Sequence, residues 1–204
     1  MSAPVSAGGI VLCGGRSTRM GTSKALLPFG PETMLQRVVR LLGAVVAPIV
    51  VVAARDQQLP DLPPHVIHAV DEREQRGPLE GLRAGLKALP ESADTAYVTS
   101  CDVPLLVPAF VDRMLDLLGA HDIAVVEIDG FPHPLSAIYR RRVLPHVEAL
   151  LERDQLRPVF LFDAARTRRV RPEELLGVDP EVRTLRNLNT PEDYAKALAD
   201  AGLA

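Results

Sequence analysis

The sequence predicts a three-layer α/β domain built on a largely parallel sheet. Three observations carry that prediction. Apolar, β-branched runs alternate with segments of helical period along most of the chain, as when each strand is returned to its sheet by a helix. The runs Ile49–Ala53 and Thr95–Cys101 are mostly apolar or β-branched, with no clean polar alternation, as expected of strands covered on both faces. Glycines or carboxylates stand directly after three of the runs: Gly14-Gly15 after Ile10–Cys13, Asp71 after Val66–Val70, and Asp102 after Thr95–Cys101. Open α/β sheets bind their ligands beyond the carboxyl ends of their strands. Only Phe131–Tyr139, where apolar residues come close to alternating, is expected to run antiparallel. With no repeat and no long linker, residues 1–204 read as one domain, 1–7 being a flexible start.

Composition narrows the class. At 47% hydrophobic the chain can bury a substantial core, and with 4% aromatics and no tryptophan that core must be Val, Leu, Ile and Ala. A net charge of -3 lacks the basic field of a nucleic-acid binder. Two cysteines, Cys13 and Cys101, can make neither a disulfide framework nor a four-ligand zinc site, and both read as small buried hydrophobes. Met1–Ala7 lacks the basic and apolar regions of a secretory signal, and no run approaches the ~18 residues of a membrane span. A cytoplasmic protein, without nucleic-acid or membrane partners, is expected.

The elements follow in order. Ile10–Cys13 is a buried strand that runs into a glycine-rich turn carrying Arg16, Ser17, Thr18, Arg19, Gly21 and Lys24. Backbone N–H groups of such a turn make an anion-binding concavity, and the cations add charge beside it. Its spacing is neither a Walker A loop nor G-x-G-x-x-G. Met34 to Leu42 repeats at helical spacing after Thr33 and ends near Gly43. Ile49–Ala53 and Val66–Val70 are strands separated by the Pro-rich loop Gln57–Pro64. Pro78 suits the first position of a helix on which Gly81 and Gly85 recur, with Gly77 on the same face if it too is helical. Glycine inside a helix is destabilising by roughly 0.5–1 kcal/mol, so a ligand or a closely packed neighbour is expected there, the latter for Gly85. Thr95–Cys101 is the fourth strand. Asp102 beyond it is either a metal-binding carboxylate or the cap of the next helix, which carries Phe110, Val111, Met114, Leu115, Leu117 and Leu118. Ile123–Ile128 is a strand closed by the turn Asp129-Gly130, and Arg142–Arg153 an amphipathic helix. Val159–Phe162 is a short strand or a helical turn; its period does not decide. Arg166, Arg168, Arg169 and Arg171 face solvent on a strand, or else meet a phosphate or a partner protein. Thr190-Pro191 opens the last helix as N-cap and first residue. Asn187 and Asn189 share a face if Leu185–Asn189 is extended.

Five of these stretches, in order between Gly9 and Leu198, resemble the motifs of the molybdenum cofactor guanylyltransferase family: G-G-R-S-T-R-M-G-x-x-K, G-P-L-x-G-L-x-x-G-L, C-D-x-P-x-L-x-P, H-P-L-x-A-I-Y and N-x-N-T-P. The resemblance implies a Rossmann-like nucleotidyltransferase fold. It implies nucleotide contacts by Leu12, Cys13, Gly14, Gly15, Arg16, Lys24, Asp71, Gly77, Pro78, Gly81 and Asp102, with Lys24, Arg19 and Asp102 as the catalytic set. Asp102 would hold Mg²⁺ (or Mn²⁺). His133, Pro134, Asn187 and Asn189 would line the pterin side, His133 also being open to a purely structural role. The implied reaction transfers GMP from GTP to the phosphate of molybdopterin, with transient contact to molybdoenzymes or their chaperones, by a monomer or weak oligomer. The chain departs from the family pattern at Cys13, at Ser23, and at Ala53-Ala54, where some members place an asparagine near the base. Cytidylyl transfer to the same cofactor and a non-catalytic cofactor-handling role are the alternatives. The second would be marked by loss of Lys24 or Asp102, and both residues are present.

Overall fold

The computed structural model describes residues 7–13, 23–71 and 76–203. Strand β1 (Ala7–Leu12) is followed by a 3₁₀ turn at Lys24–Leu26, a small hairpin of β2 (Pro28–Phe29) and β3 (Glu32–Thr33), and helix α1 (Met34–Leu42). Then come β4 (Ile49–Ala53), β5 (Ile67–Val70), α2 (Pro78–Ala88), β6 (Thr95–Ser100), α3 (Pro108–Leu118), β7 (Ile123–Ile128) and β8 (Phe131–Arg140). The chain finishes with α4 (Leu144–Glu152), α5 (Val159–Ala164), β9 (Thr167–Val170) and α6 (Pro191–Asp200).

Among the described residues seven strands form one sheet in the order β5-β4-β1-β6-β8-β7-β9. β1 pairs parallel with β4 and β6, β4 with β5, and β7 with β9, whereas β8 is antiparallel to both β6 and β7. The predicted single reversal therefore falls on Phe131–Arg140. It brings the start of β8 to the same end of the sheet as the carboxyl ends of β1 and β6.

Side-chain alternation along the central strands splits the core in two. Val11, Val51 and Tyr97 point to the face covered by α1 and α3, with Leu35, Val38, Phe110 and Met114. Ile10, Val50 and Val98 point to the other face, against Leu79, Leu82 and Leu86 of α2 and Val147 and Leu150 of α4. The strands buried on both faces are the ones whose sequence lacks alternation. A third cluster of Phe29, Met34, Leu105, Leu188 and Ala197 fastens the hairpin and α6 to the end of the sheet where β1 and β6 stop.

Local chemistry sets the helix starts. Thr33 and Gln36 cap α1 reciprocally: the Gln36 N–H donates to Thr33 Oγ1 at 3.3 Å and the Thr33 N–H to Gln36 Oε1 at 2.8 Å. Thr190 and Asp193 do the same for α6. Three expectations shift, and one open alternative is decided. Gly77 is the N-cap of α2 at φ 72°, ψ −171°, a backbone that favours glycine, and so is not one of three helical glycines. The helix expected from Arg142 opens as a 3₁₀ turn, Arg141–Val143, before α4. Leu185 closes another 3₁₀ turn, Arg183–Leu185, so only the residues after it are free to extend. Val159–Phe162, open between strand and helical turn, is helical.

Candidate active site

Lys24 is where the arms of the site meet. Its Nζ donates to Asp102 Oδ2 at 2.7 Å and to Asn189 Oδ1 at 2.8 Å, joining residues 78 and 165 positions away. The Lys24 and Asp102 side chains are 17% and 14% exposed, so the pair is shielded yet open to a ligand. Asp102 arrives from β6. Its other oxygen, Oδ1, accepts a hydrogen bond from the Ser100 hydroxyl two residues earlier. Helix α3 begins at Pro108 with Val107 as N-cap, so Asp102 does not cap it. Asn189 arrives from the segment before α6, where the Leu188 N–H donates to the Asp102 carbonyl at 2.9 Å. Leu188 is buried while Asn187 and Asn189 are exposed, the alternation expected of an extended stretch.

A second cluster lies beyond β1 and β5. Asp71 follows β5 and its N–H donates to the Ala53 carbonyl at 3.2 Å. A Cβ on Gly81 would lie 3.2 Å from both Leu12 δ-carbons and 3.4 Å from Asp71 Oδ1, so the glycine leaves the space that those two side chains use. Asp71 Oδ1 is buried and has no hydrogen-bond partner among the described residues. Burial first, and then the negative charge of Glu80, push the Asp71 carboxyl up to about 6, against a smaller opposite pull from Arg83. A buried acceptor without a donor is the exception in folded chains. Gly85 has a different reason: a Cβ there would stand 2.5 Å from Ile10 Cγ2, so it packs α2 onto β1.

Of the remaining predicted residues, Cys13 is buried and its carbonyl accepts from Gln57 Nε2 at 2.8 Å. A hydrogen bond with the Cys101 thiol, then burial, push the Cys13 thiol well above its ordinary value, so Cys13 is not a poised nucleophile. Pro78 takes the first helical position after Gly77. His133 lies on β8 opposite Val126, and burial lowers its pKa. The Pro134 carbonyl accepts the Tyr139 hydroxyl at 2.9 Å. Neither residue joins the Lys24 cluster, nor does Asn187. Gly14, Gly15, Arg16 and Arg19 lie outside the described residues. The arginines of β9 are paired: Arg168 with Glu174 at 2.7 Å, and Arg169 with Glu127 and with Asp163 at 3.7 Å, which fits a solvated edge strand.

Two participants escaped the sequence reading. Ser100 was within reach of it, as the hydroxyl residue that ends the strand two positions before Asp102. Gln57 left no signal; from the Pro-rich loop it reaches the ends of both β1 and β4, and its Oε1 accepts from the Ala54 N–H at 3.3 Å.

A parallel half-sheet whose central strand leads into a segment rich in glycine and cations in the sequence, with a Lys–Asp pair beyond the neighbouring strand, defines a nucleotidyltransferase. The comparisons agree: a family model for the MobA-like NTP transferase domain matches residues 9–169, and the chain belongs to that family. It is 37% identical over 198 residues to the probable molybdenum cofactor guanylyltransferase of Methanosarcina acetivorans, covering 90% of this chain and 86% of the relative. It is equally 37% identical over 197 residues to the protein of the same description in Mycobacterium avium, covering 95% of each. Among solved structures, molybdopterin-guanine dinucleotide biosynthesis protein A of Archaeoglobus fulgidus superposes with a TM-score of 0.80 at 18% identity, covering 97% of this chain and all of that one. The 4-diphosphocytidyl-2C-methyl-D-erythritol synthase of Anaerococcus prevotii does so at 0.67 and 12%, covering 97% and 98%. At those identities the likeness is one of fold alone. No helix among the described residues is long and apolar enough to cross a membrane.

Proposed function

We propose that this chain transfers GMP from GTP to the terminal phosphate of molybdopterin, forming the guanine dinucleotide of the cofactor and releasing pyrophosphate. The observation that carries the reading is the convergence of Lys24, Asp102 and Asn189 on one hydrogen-bonded cluster. Support comes from relatives at 37% identity described as molybdenum cofactor guanylyltransferases.

A phosphate monoester is already a nucleophile, so the reaction needs no serine, cysteine or histidine base. One acceptor oxygen bonds to the α-phosphorus as the α–β anhydride bond breaks, and pyrophosphate leaves with the bonding electrons. The protein's task is in-line alignment and neutralisation of charge. The Lys24 ammonium meets the phosphates, together with Arg16 and Arg19 of the loop. Asp71 Oδ1, buried and without a donor among the described residues, takes one from the nucleoside. Asn189, which accepts from Lys24, is read as serving the acceptor side, and Asn187, His133 and Pro134 are assigned to the same side.

Asp102 fits a Mg²⁺ or Mn²⁺ ion: its Oδ2 already faces a cation at 2.7 Å, and a single carboxylate completed by substrate phosphates is how Mg²⁺ is usually held. When bound, that metal supplies Lewis-acid neutralisation of phosphate charge. Ser100 orients the carboxylate for it. The reading includes residues 1–204 acting as one cytoplasmic catalytic domain, a monomer or weak oligomer handing its product to molybdoenzymes.

The test is pyrophosphate release with molybdenum-loaded molybdopterin and Mg²⁺, comparing GTP, CTP and ATP, with Asp102→Ala alongside. Turnover with GTP that the variant loses is the expected result. Turnover with CTP would keep the mechanism and reverse the base. GTP binding without turnover on any nucleotide would make the chain a cofactor-handling protein.

A further inference from the structure

The acceptor arm has a difficulty that the nucleotide arm does not. Asp102 leaves a strand held by ladders on both sides, whereas Asn189 sits at the end of a stretch from residue 171 to 190 that has only two short 3₁₀ turns among its described elements. Such a segment places an amide against Lys24 only if its own supports are fixed.

The support is a buried carboxylate outside every motif. Asp179 is 1% exposed. Its Oδ1 accepts from the Arg183 N–H at 3.0 Å, and its Oδ2 from the Thr184 N–H at 2.9 Å and the Thr184 hydroxyl at 2.7 Å. Thr184 is fully buried, and its Oγ1 accepts in turn from the Val107 N–H at 3.1 Å. Val107 closes the loop that starts at Asp102. The segment and that loop are thus joined twice, by Thr184 to Val107 and by Leu188 to Asp102, and Asp179 fixes the first rung. Val182 between them has φ 48° and ψ 39°, a left-handed backbone unfavourable for a β-branched residue. Such a conformation persists where its surroundings over-determine it. The three donors on Asp179 do so. An amide could not replace the carboxylate, because one of its two ends would turn an N–H₂ toward a backbone N–H.

We propose that Asp179 is the positioning residue of the acceptor side: acting through Thr184, it holds Asn189 on Lys24 and Leu188 on Asp102 without touching a substrate. The proposal rests on the reading of the Asn189 side as the acceptor side. Asp179→Asn in the full chain is expected to raise the KM for molybdopterin about tenfold, with the KM for GTP within about twofold, because small misplacements of positioning groups are costly. Its effect should be non-additive with that of Asn189→Ala. Amide exchange gives a readout free of the reaction. Residues 183–190, the Leu188 N–H above all, should lose about tenfold protection while β1, β4 and β6 keep theirs. Unchanged protection at 183–190, protection lost evenly across the sheet, or both KM values moving alike would overturn the proposal. A wild-type chain that transfers no GMP would sink the functional reading, and the exchange result would still decide on Asp179. If Asp179→Asn does not fold, Thr184→Val and Thr184→Ser decide. Loss of acceptor affinity in the first and its retention in the second is expected, and equal behaviour overturns the proposal.

Discussion

Asp102 and Asn189 reach the same ammonium from opposite kinds of structure. Asp102 stands just past β6, a strand paired in register with β1 from Thr95 to Ser100 and buried at every position. Asn189 stands at the end of an irregular segment held by local turn bonds, by the Leu188 N–H on the Asp102 carbonyl, and by the side chains of Asp179 and Thr184. The two distances to Lys24 are nearly equal, 2.7 and 2.8 Å. Comparable placement is therefore reached by a backbone ladder in one arm and by a few anchored polar groups in the other. The ladder arm spreads its support over many residues, and the anchored arm concentrates it. Substitutions should accordingly act broadly on the first and locally on the second.

The largest effect is expected where the arms meet. Asp102→Ala removes the metal-side carboxylate and leaves Lys24 with Asn189 as its partner among the described residues, and kcat should fall by about 10²–10³, the scale of losing one main electrostatic contributor. A fall below tenfold, measured by pyrophosphate release, would break the comparison at its centre. Next comes the packing beneath the ladder arm. Gly85→Ala drives a methyl into Ile10 and should destabilise the whole domain by about 1–3 kcal/mol, the usual range for an overfilled core. Gly81→Ala, whose Cβ meets side chains at 3.2 Å and beyond, should disturb stability less and GTP affinity more. Thermal melts read beside nucleotide titrations separate the two, and equal losses of Tm would remove the distinction.

Asp71 sharpens the comparison through pH. Its carboxyl is raised from an ordinary 3.8 to about 6. Between those values the folded chain holds a proton that the unfolded chain has released, so this group's contribution to stability falls as pH rises through the window and stays reduced above it. Asp71→Asn lacks that loss. Its Tm relative to wild type should therefore be higher at pH 8 than at pH 4, while its affinity for GTP falls. A Tm difference independent of pH would count against a half-buried, proton-holding Asp71. The smallest effect belongs to the far edge of the sheet. Arg169→Ala on β9 breaks a pair whose arginine is 43% exposed, and exposed pairs contribute about 0.2–1 kcal/mol. It should leave turnover unchanged; a loss of acceptor binding would revive a phosphate role for that cluster.

The same contrast explains what the sequence disclosed. Ile49–Ala53 and Thr95–Ser100 announce themselves because a strand covered on both faces must be apolar throughout, and Asp102 is legible because it interrupts such a run. The reversal at Phe131 is legible because apolar residues come close to alternating there, whereas the order of the strands across the sheet rests on pairings between runs far apart in sequence and leaves no local sign. Thr190-Pro191 is legible for a local reason, since capping is decided within four residues. Asp179, Thr184 and Gln57 are illegible for the opposite reason. Each acts through partners far away in sequence or through backbone groups, and a polar residue in a loop carries no periodicity to betray a buried partner. Gly77 misled for a similar reason: the four-residue spacing to Gly81 fits a helix face, and only the backbone at φ 72° shows that it stands outside the helix.

The measurement that tests the account most directly is pyrophosphate release at saturating GTP with molybdopterin varied, for wild type and Asn189→Ala. GMP transfer by the wild type is expected, and in the variant a KM for molybdopterin raised about tenfold, the scale of one lost hydrogen bond to a charged group, with the KM for GTP nearly unchanged. An Asn189→Ala enzyme that loses GTP and molybdopterin affinity alike would contradict the division of the site into a nucleotide arm and an acceptor arm.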